Sequence, residues 1–221
     1  MFGKVESKRM LMRKIWDHTI DLKETFKPRK GKIYPLFKNK REEVQNFIED
    51  QLRKGYIRQS KFPQTSPVFF INKKDREKKM VIDYHNLNNQ IMKNNYPLPL
   101  MMDLIDNMGS KRVFTKMDLW WGFNNVRIKE GNKWKRVFTT HIGSFELTVM
   151  FFRMTNSPAT FQAMINEILK DIINEGKVAA FVDNILVETE IEKEHDEIVE
   201  KVLKKLENIT NGHLLICELM I

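Results

Sequence analysis

Two β-rich apolar runs in this sequence each carry a single aspartate near one end. Asp118 lies between FTKM and LWW, and Asp183 lies between AAFV and NILV. A carboxylate inside an apolar strand is costly unless it is paired, hydrogen-bonded or bound to a cation. The fold must therefore bring these two strand ends to a hydrogen-bonding partner or to a metal ion.

Each aspartate also has an ordinary structural interpretation. Asp183 and Asn184 suit the tip of a tight hairpin because Asp and Asn tolerate positive φ, and Asp118 suits the cap of a turn. The alternative is that neighbouring strands bring the two carboxylates together to hold Mg²⁺ for phosphoryl or nucleotidyl transfer. Composition and spacing alone leave both interpretations open.

The order of periodic segments predicts an α+β fold with a small antiparallel sheet and helices on one face. Ser157 and Pro158 mark a helix start, because the missing N–H of proline costs nothing at the first helical position. The pattern predicts, in order, a helix at about 39–54, a hairpin from Val68 with a lysine-rich tip, a short helix in MMDLIDNM, a strand ending near Asp118, a hairpin around Glu130–Asn132, a helix from Ser157 to about Asn174, a strand–turn–strand with Asp183–Asn184 at its tip, and a helix at about 190–207.

Charge and composition favour a polyanionic partner in a reducing compartment. The 221 residues carry a net charge of +9, and residues 1–43 contain thirteen Lys or Arg against six Asp or Glu. Nucleic acid is the commonest such partner, although a basic solubilising arm explains the imbalance equally well. One cysteine excludes a disulfide scaffold, and no apolar run approaches the roughly 18 residues of a membrane span. We therefore expect an intracellular protein, cytoplasmic or nuclear, with no membrane contact.

Five blocks of the sequence resemble, in the same order, the reverse transcriptase of gypsy-type LTR retrotransposons. The blocks are FINKKDREKKMVIDYHNLN, YPLPLMMDLID, VFTKMDLWWGFNNVRIKEG, FRMTNSPATFQAMINEIL and AAFVDNILVETE. The resemblance implies the fingers and palm of a right-hand polymerase over residues 34–207. Residues 1–33 then form a basic extended lead-in, and residues 208–221 a divergent tail.

The same resemblance implies an activity and its central residues. The implied reaction is the addition of dNTPs to a primer 3′-OH, directed by an RNA or DNA template. Asp118 and Asp183 are implied to be the catalytic carboxylates that bind two Mg²⁺ ions, for which Mn²⁺ is a substitute. Phe123 is similar to the aromatic residue that stacks under the nucleotide sugar and rejects a ribose 2′-OH.

Two further groups of residues receive roles from the resemblance. Lys73, Lys74 and Lys79 occupy positions in the fingers whose cations hold the incoming triphosphate, a role that suits charged donors. Ser157 and Pro158 open the palm helix that lies under the template. The template supplies specificity through base pairing, so a basic surface with few base-reading groups is sufficient.

Departures from the family pattern predict a partly degenerate and truncated copy with impaired activity. Asn184 stands where the family has a second aspartate, which removes one of three anionic metal ligands and predicts a loss of about 10²-fold in rate. Arg153 replaces a glycine beside the nucleotide pocket, where a long side chain obstructs binding. After Asn208 the sequence ITNGHLLICELMI loses the family pattern, so we expect a polymerase that lacks its thumb.

These departures leave two other hypotheses beside an impaired polymerase. The chain could be a non-catalytic nucleic-acid-binding remnant of a retrotransposon polymerase, which keeps a basic channel but does not polymerise. It could also be a translated product without any selected role.

Overall fold

A computed structural model describes residues 16–72, 78–100, 102, 111–120, 122–151, 154–210 and 215–220 of the chain. Contacts divide the chain into two units. Of the described residues, those between positions 17–93 and 127–155 form the five-stranded unit, and Trp16 with those between positions 94–126 and 156–221 form the four-stranded unit. Within the described ranges, no helix is both long enough and apolar enough to cross a bilayer.

The five-stranded unit packs two helices with a mixed sheet. The elements are α1 (Lys38–Arg53), β1 (Ile57–Gln59), β2 (Ser66–Asn72), β3 (Lys78–Ile82), α2 (His85–Gln90), β5 (Val137–Thr140) and β6 (Gly143–Leu147). The strands follow the order β1-β6-β5-β2-β3, in which only the β2–β5 pair is parallel. A 3₁₀ turn, Lys133–Arg136, leads directly into β5.

One apolar core holds the five-stranded unit together. Val44 and Ile48 project from α1 at helical spacing and pack with Phe138 of β5. Ile20 is also fully buried in this core, so part of the predicted lead-in contributes to the unit. The boundaries at residues 33 and 207 remain predictions about the family's organisation.

A charged side chain lies inside the same unit. Arg136 is fully buried, and its guanidinium carbon lies 5.1 Å from the centre of the Tyr84 ring. Among the described residues, none forms a well-aligned hydrogen bond with the three guanidinium nitrogens, and the Tyr84 phenol is the polar neighbour that interacts with the cation. Burial lowers the pKa of Arg136, and the nearby Tyr84 phenol partly offsets that effect.

The four-stranded unit contains β4 (Val113–Trp120), a 3₁₀ turn (Gly122–Asn125), α3 (Ser157–Ile168), α4 (Lys170–Asn174), β7 (Val178–Phe181), β8 (Asn184–Thr189), α5 (Glu192–Thr210) and β9 (Leu215–Met220). Its strands form an antiparallel sheet in the order β7-β8-β4-β9. Residues 215–220, part of the segment expected to be divergent, therefore pair with β4 as a strand.

Alternation along β4 decides which face of this sheet is covered. Thr115, Met117 and Leu119 are buried, whereas Lys116 is exposed and Asp118 is half-buried. His195 of α5 bonds Thr115 Oγ1 at 2.7 Å, which fixes that helix on the covered face. Because side chains of a strand alternate between faces, Asp118 projects to the other, more open face.

The main elements lie close to where the sequence predicted them, except for one hairpin. The expected hairpin around Glu130–Asn132 does not form, because Arg127 and Ile128 make only isolated bridges and a 3₁₀ turn follows. The hairpin formed there is β5–β6, whose register closes at Thr140 and Gly143. The helix predicted in MMDLIDNM and the tip of the lysine-rich hairpin lie outside the described residues, apart from Met102 in the former.

Candidate active site

The end of β4 and the β7–β8 hairpin meet at one end of the four-stranded sheet. Asp118 pairs with Asn184 in the antiparallel register of β4 and β8. The backbone N–H of Leu119 donates to the carbonyl oxygen of Asp183 at 2.9 Å. Asp118 and Asp183 therefore lie beside each other, although 64 positions separate them in the sequence.

The electrostatics of this pair suit a cation. Burial raises the pKa of the Asp183 carboxyl, and the negative charge of Asp118 raises it further. The Asp183 backbone N–H, the Asn184 amide and Lys116 lower that pKa without cancelling the rise. A divalent cation with oxygen ligands relieves such repulsion between two carboxylates.

The turn that carries Asp183 is strained. Val182 has a φ of 54°, in the left-handed region that a β-branched residue rarely adopts. The sequence predicted Asp183–Asn184 as the tip, because those residues tolerate positive φ. That prediction was wrong by one position: the tip is Val182–Asp183, and Asn184 is the first residue of β8.

A buried glutamine on α3 holds this strained turn. Gln162 is fully buried, its Oε1 accepts from the Val182 N–H at 2.7 Å, and its Nε2 donates to the Ala180 carbonyl at 2.9 Å. Its Nε2 also lies 2.8 Å from Asn166 Oδ1, and Asn166 Nδ2 donates to Tyr96 Oη at 2.9 Å. Strained backbone persists where surrounding contacts over-determine it, and these bonds do so.

Sequence reasoning missed Gln162. The apolar stripe of α3 predicted the helix, but the polar residue beside Phe161 received no interpretation. A polar side chain on the buried face of a helix was the available signal, because buried polar groups are almost always hydrogen-bonded to something specific.

Asn184 contributes an amide where the family pattern has a carboxylate. Its Nδ2 donates to Asp183 Oδ1 at 3.3 Å. Among the residues that the structure describes, no three His, Cys, Asp or Glu side chains form a group able to hold a metal ion. The available oxygen ligands are therefore the carboxylates of Asp118 and Asp183 together with the amide of Asn184.

Phe123 lies in the 3₁₀ turn that follows β4. Its ring stacks on Phe161 of α3, with the ring centres 4.8 Å apart and an angle of 20° between the planes. The preceding Gly122 permits this contact, because a Cβ there would meet the Phe161 ring at 2.7 Å. The ring of Phe123 is therefore fixed in place and only 3% exposed.

The remaining predicted site residues divide into placed and undescribed ones. Ser157 begins α3 and is buried, and Pro158 is the half-buried second residue of that helix. Lys79 belongs to β3, where it pairs with Ile71. Lys73, Lys74 and Arg153 lie outside the described residues.

An antiparallel sheet that carries two aspartates beside a hairpin and packs helices on its other face has the architecture of a polymerase palm. The family model described as reverse transcriptase (RNA-dependent DNA polymerase) matches residues 71–212. The chain belongs to this reverse transcriptase family.

Curated relatives and solved structures agree with that assignment. The chain is 38% identical over 175 residues to the Transposon Tf2-7 polyprotein of Schizosaccharomyces pombe (strain 972 / ATCC 24843), and the match covers 79% of this chain but 13% of the polyprotein. The Tf2-3 polyprotein of the same organism is 37% identical over the same length.

Two solved foamy viral structures superpose on most of the chain. The protease-reverse transcriptase in complex with an RNA/DNA hybrid has a TM-score of 0.79 and 27% identity, covering 91% of this chain and 27% of that one. The form in complex with dsDNA named "dRH" has a TM-score of 0.73 and 27% identity, covering 91% and 35%. The predicted fingers-and-palm fold is confirmed, and the chain spans about a third or less of these relatives.

Proposed function

We propose that the chain is the fingers and palm of an RNA-directed DNA polymerase from a gypsy-type LTR retrotransposon polyprotein. The reaction is the template-directed addition of dNTPs to a primer 3′-OH. The observation that carries the proposal is the juxtaposition of Asp118 and Asp183 at the strained hairpin of a reverse transcriptase palm. The identity with Tf2 polyproteins supports the retrotransposon origin.

The residues at this sheet end fit a magnesium site. Asp118 and Asp183 supply carboxylate oxygens on the open face of the sheet, and Asn184 supplies a neutral amide oxygen. When bound, Mg²⁺ supplies Lewis-acid activation of the primer hydroxyl and stabilisation of the leaving phosphate oxygen. Gln162 keeps Asp183 in place by fixing the backbone of the residue before it.

Substrate positioning falls to residues around this pair. Phe123, held against Phe161, is proposed to lie under the sugar of the incoming dNTP. Lys73, Lys74 and Lys79 are proposed to bind its triphosphate, and Ser157 and Pro158 to form the helix start beneath the template. The related foamy viral protease-reverse transcriptase was solved in complex with an RNA/DNA hybrid, which supports a primer–template as the partner.

The proposed activity is impaired at two positions. Asn184 leaves the metal site with two formal negative charges instead of three, so metal ions bind more weakly and less developing charge is compensated. Arg153 introduces a long cation at a position where the family has glycine. Together these substitutions are expected to lower the rate by about 10²-fold or more, within the range of preorganised electrostatic effects.

Primer extension on poly(rA)/oligo(dT) with Mg²⁺ or Mn²⁺ tests the proposal. Asp118→Asn should reduce dTMP incorporation by about 10³-fold or more, because it replaces an anionic metal ligand with a neutral amide of the same size. Asp196→Asn, the same change at an exposed position on α5, is the matched control and should leave incorporation unchanged. Equal incorporation by wild type and Asp118→Asn would refute polymerisation at this site.

A non-catalytic nucleic-acid-binding role is the second candidate, and Asn184 is the observation that favours it. Asn184→Asp restores the family's third carboxylate and should raise incorporation by about 10²-fold if the metal site limits the rate. Wild type and Asn184→Asp that both bind primer–template, with affinity falling steeply as salt rises, and that both fail to extend it would favour the binding role instead.

A further inference from the structure

We propose that the five-stranded unit carries an accessory site for single-stranded nucleic acid, in which an unpaired base stacks on Phe62 beside Arg58 and Lys61. The site lies wholly within that unit, at β1, the edge strand of its sheet. It would add a base-stacking contact to the polymerase of the proposed function. Its binding test does not require catalysis.

An aromatic stack forms one wall of the site. The rings of Phe62 and Trp134 stack with centres 5.7 Å apart and planes 29° apart. Phe26 packs edge-on against Trp134, with the two ring centres 6.1 Å apart. Phe62 remains 49% exposed, so Trp134 supports the ring without covering it.

The exposed part of Phe62 lines an open cavity. The cavity measures about 330 Å³, at the lower end of the roughly 300–1,000 Å³ of small-ligand sites. Arg58, Ser60, Lys61 and Glu146 line it together with Phe62. A flat, exposed ring at the wall of such a cavity is the kind of platform on which nucleobases stack irrespective of sequence.

Hydrogen bonds hold the floor of this cavity in shape. Glu146 is 3% exposed, and its two carboxylate oxygens accept from Arg58 Nε at 2.5 Å and Ser60 Oγ at 3.1 Å. Ser60 Oγ in turn accepts from the Phe62 N–H at 3.4 Å. The turn that presents Phe62 is therefore connected to a buried carboxylate on β6.

The charge at the rim favours a polyanion over an apolar peptide. Glu146 is buried and compensated by Arg58, whose side chain nevertheless stays 55% exposed. Lys61 is exposed beside it, and Lys27 is exposed next to Phe26. Aromatic rings bordered by cations are the features that single-stranded nucleic-acid sites combine, because the rings take bases and the cations take phosphates.

Fluorescence anisotropy with a labelled dT oligomer tests the site in the full 221-residue chain. A labelled abasic oligomer of equal length measures the binding of phosphates without bases. Phe62→Ala should weaken dT binding by about 10-fold and leave abasic binding unchanged, because it removes only stacking. Phe62→Tyr keeps a ring and should retain the affinity. Phe37→Ala, at an aromatic residue 85% exposed in the same unit, should change neither.

Lys61→Ala should weaken the binding of both oligomers and lower the slope of log affinity against log salt concentration by about one. Lys93→Ala, at another exposed lysine, is the control. Unchanged dT affinity in Phe62→Ala would overturn the proposal, as would an equal loss for both oligomers. Binding of neither oligomer by wild type would also overturn it and would point to a peptide or protein occupant. Because binding is read directly, the outcome is independent of whether the chain extends primers.

Discussion

The two units of this chain place their charged side chains in different environments. In the four-stranded unit, Asp118 and Asp183 are half-buried at one end of the sheet. In the five-stranded unit, Arg136 is fully buried against Tyr84, and the described residues offer it no carboxylate. A charge that ions and substrates reach can serve a reaction, whereas a buried and uncompensated charge mainly costs folding free energy.

The polar groups around those charges differ as well. In the four-stranded unit, Gln162 bonds the hairpin at both ends of its amide, and His195 bonds the hydroxyls of Thr115 and Thr189 at 2.7 and 2.9 Å. In the five-stranded unit, His18 is buried near Arg136, and its burial and the charge of Arg136 both lower its pKa. Substitution of Gln162 should therefore lower activity as well as stability, whereas substitution of Arg136 or His18 should change stability alone.

The largest effect that bears on this comparison is expected at Gln162. Gln162→Leu removes both bonds to the hairpin and leaves the Val182 N–H and Ala180 carbonyl without that partner, at a cost of about 3 kcal/mol in unfolding free energy. Primer extension should fall by about 10²-fold because Asp183 loses its support. Urea denaturation and incorporation assays measure the two effects, and Gln45→Leu on the exposed face of α1 is the control.

Two results at Gln162 would contradict that expectation. If Gln162→Leu lost stability but kept its incorporation per folded molecule, the hydrogen bonds would be structural only. If Gln162→Leu matched the wild type in both stability and incorporation, the two bonds to the hairpin would not be needed to hold it.

The next effect concerns the buried cation. Arg136→Met replaces an uncompensated charge with an apolar side chain of similar length, so we expect unfolding free energy to rise by about 2 kcal/mol. Incorporation per folded molecule should not change. Arg53→Met, at a side chain 79% exposed, should alter stability little. A loss of stability in Arg136→Met would mean that the contact with Tyr84 outweighs the cost of burial.

The smallest effect is a pH dependence in the same unit. Burial, followed by the charge of Arg136, lowers the pKa of His18 from 6.5 to about 3. The unfolded chain therefore binds a proton that the folded chain excludes, so this stability is complete above pH 6.5 and falls as pH drops towards 3.

At about pH 5.5 the loss due to His18 should be about 1.4 kcal/mol relative to about pH 7.5. His18→Gln removes the titrating group and should flatten the stability profile over that range by this amount. The same change at exposed His141 should leave the slope as in the wild type. A slope unaffected by His18→Gln would mean that the imidazole does not stay neutral in the folded state.

Much of the fold was accessible from the sequence because its elements have clear periodicity. The helical spacing of Val44 and Ile48 predicted α1 to within a residue at each end, and Ser157–Pro158 marked the start of α3. The failure around Glu130–Asn132 has a physical reason. Polar alternation there resembled strands, but the backbone groups of Arg127 and Ile128 bond to other segments and Lys133–Arg136 coils into a 3₁₀ turn.

The sequence predicted the acidic residues of the candidate site but not the hydrogen bonds that hold them in place. Asp118 and Asp183 were identifiable because carboxylates in apolar strands require an explanation. The positive φ of Val182 was not identifiable from the sequence, because Asp or Asn is the residue expected in that conformation. The long-range bonds of Gln162 stabilise the strained backbone at this valine, and no local pattern indicates them.

The sequence alone determined which elements form and which acidic side chains are available, because periodicity and the cost of buried charge act locally. Tertiary structure decided that Asp118 lies beside Asp183 and Asn184, that Gln162 fixes their hairpin, and that Arg136 is enclosed with no carboxylate offered by the described residues. These outcomes depend on strand register and on packing between residues distant in sequence, which are set only when the whole sheet assembles.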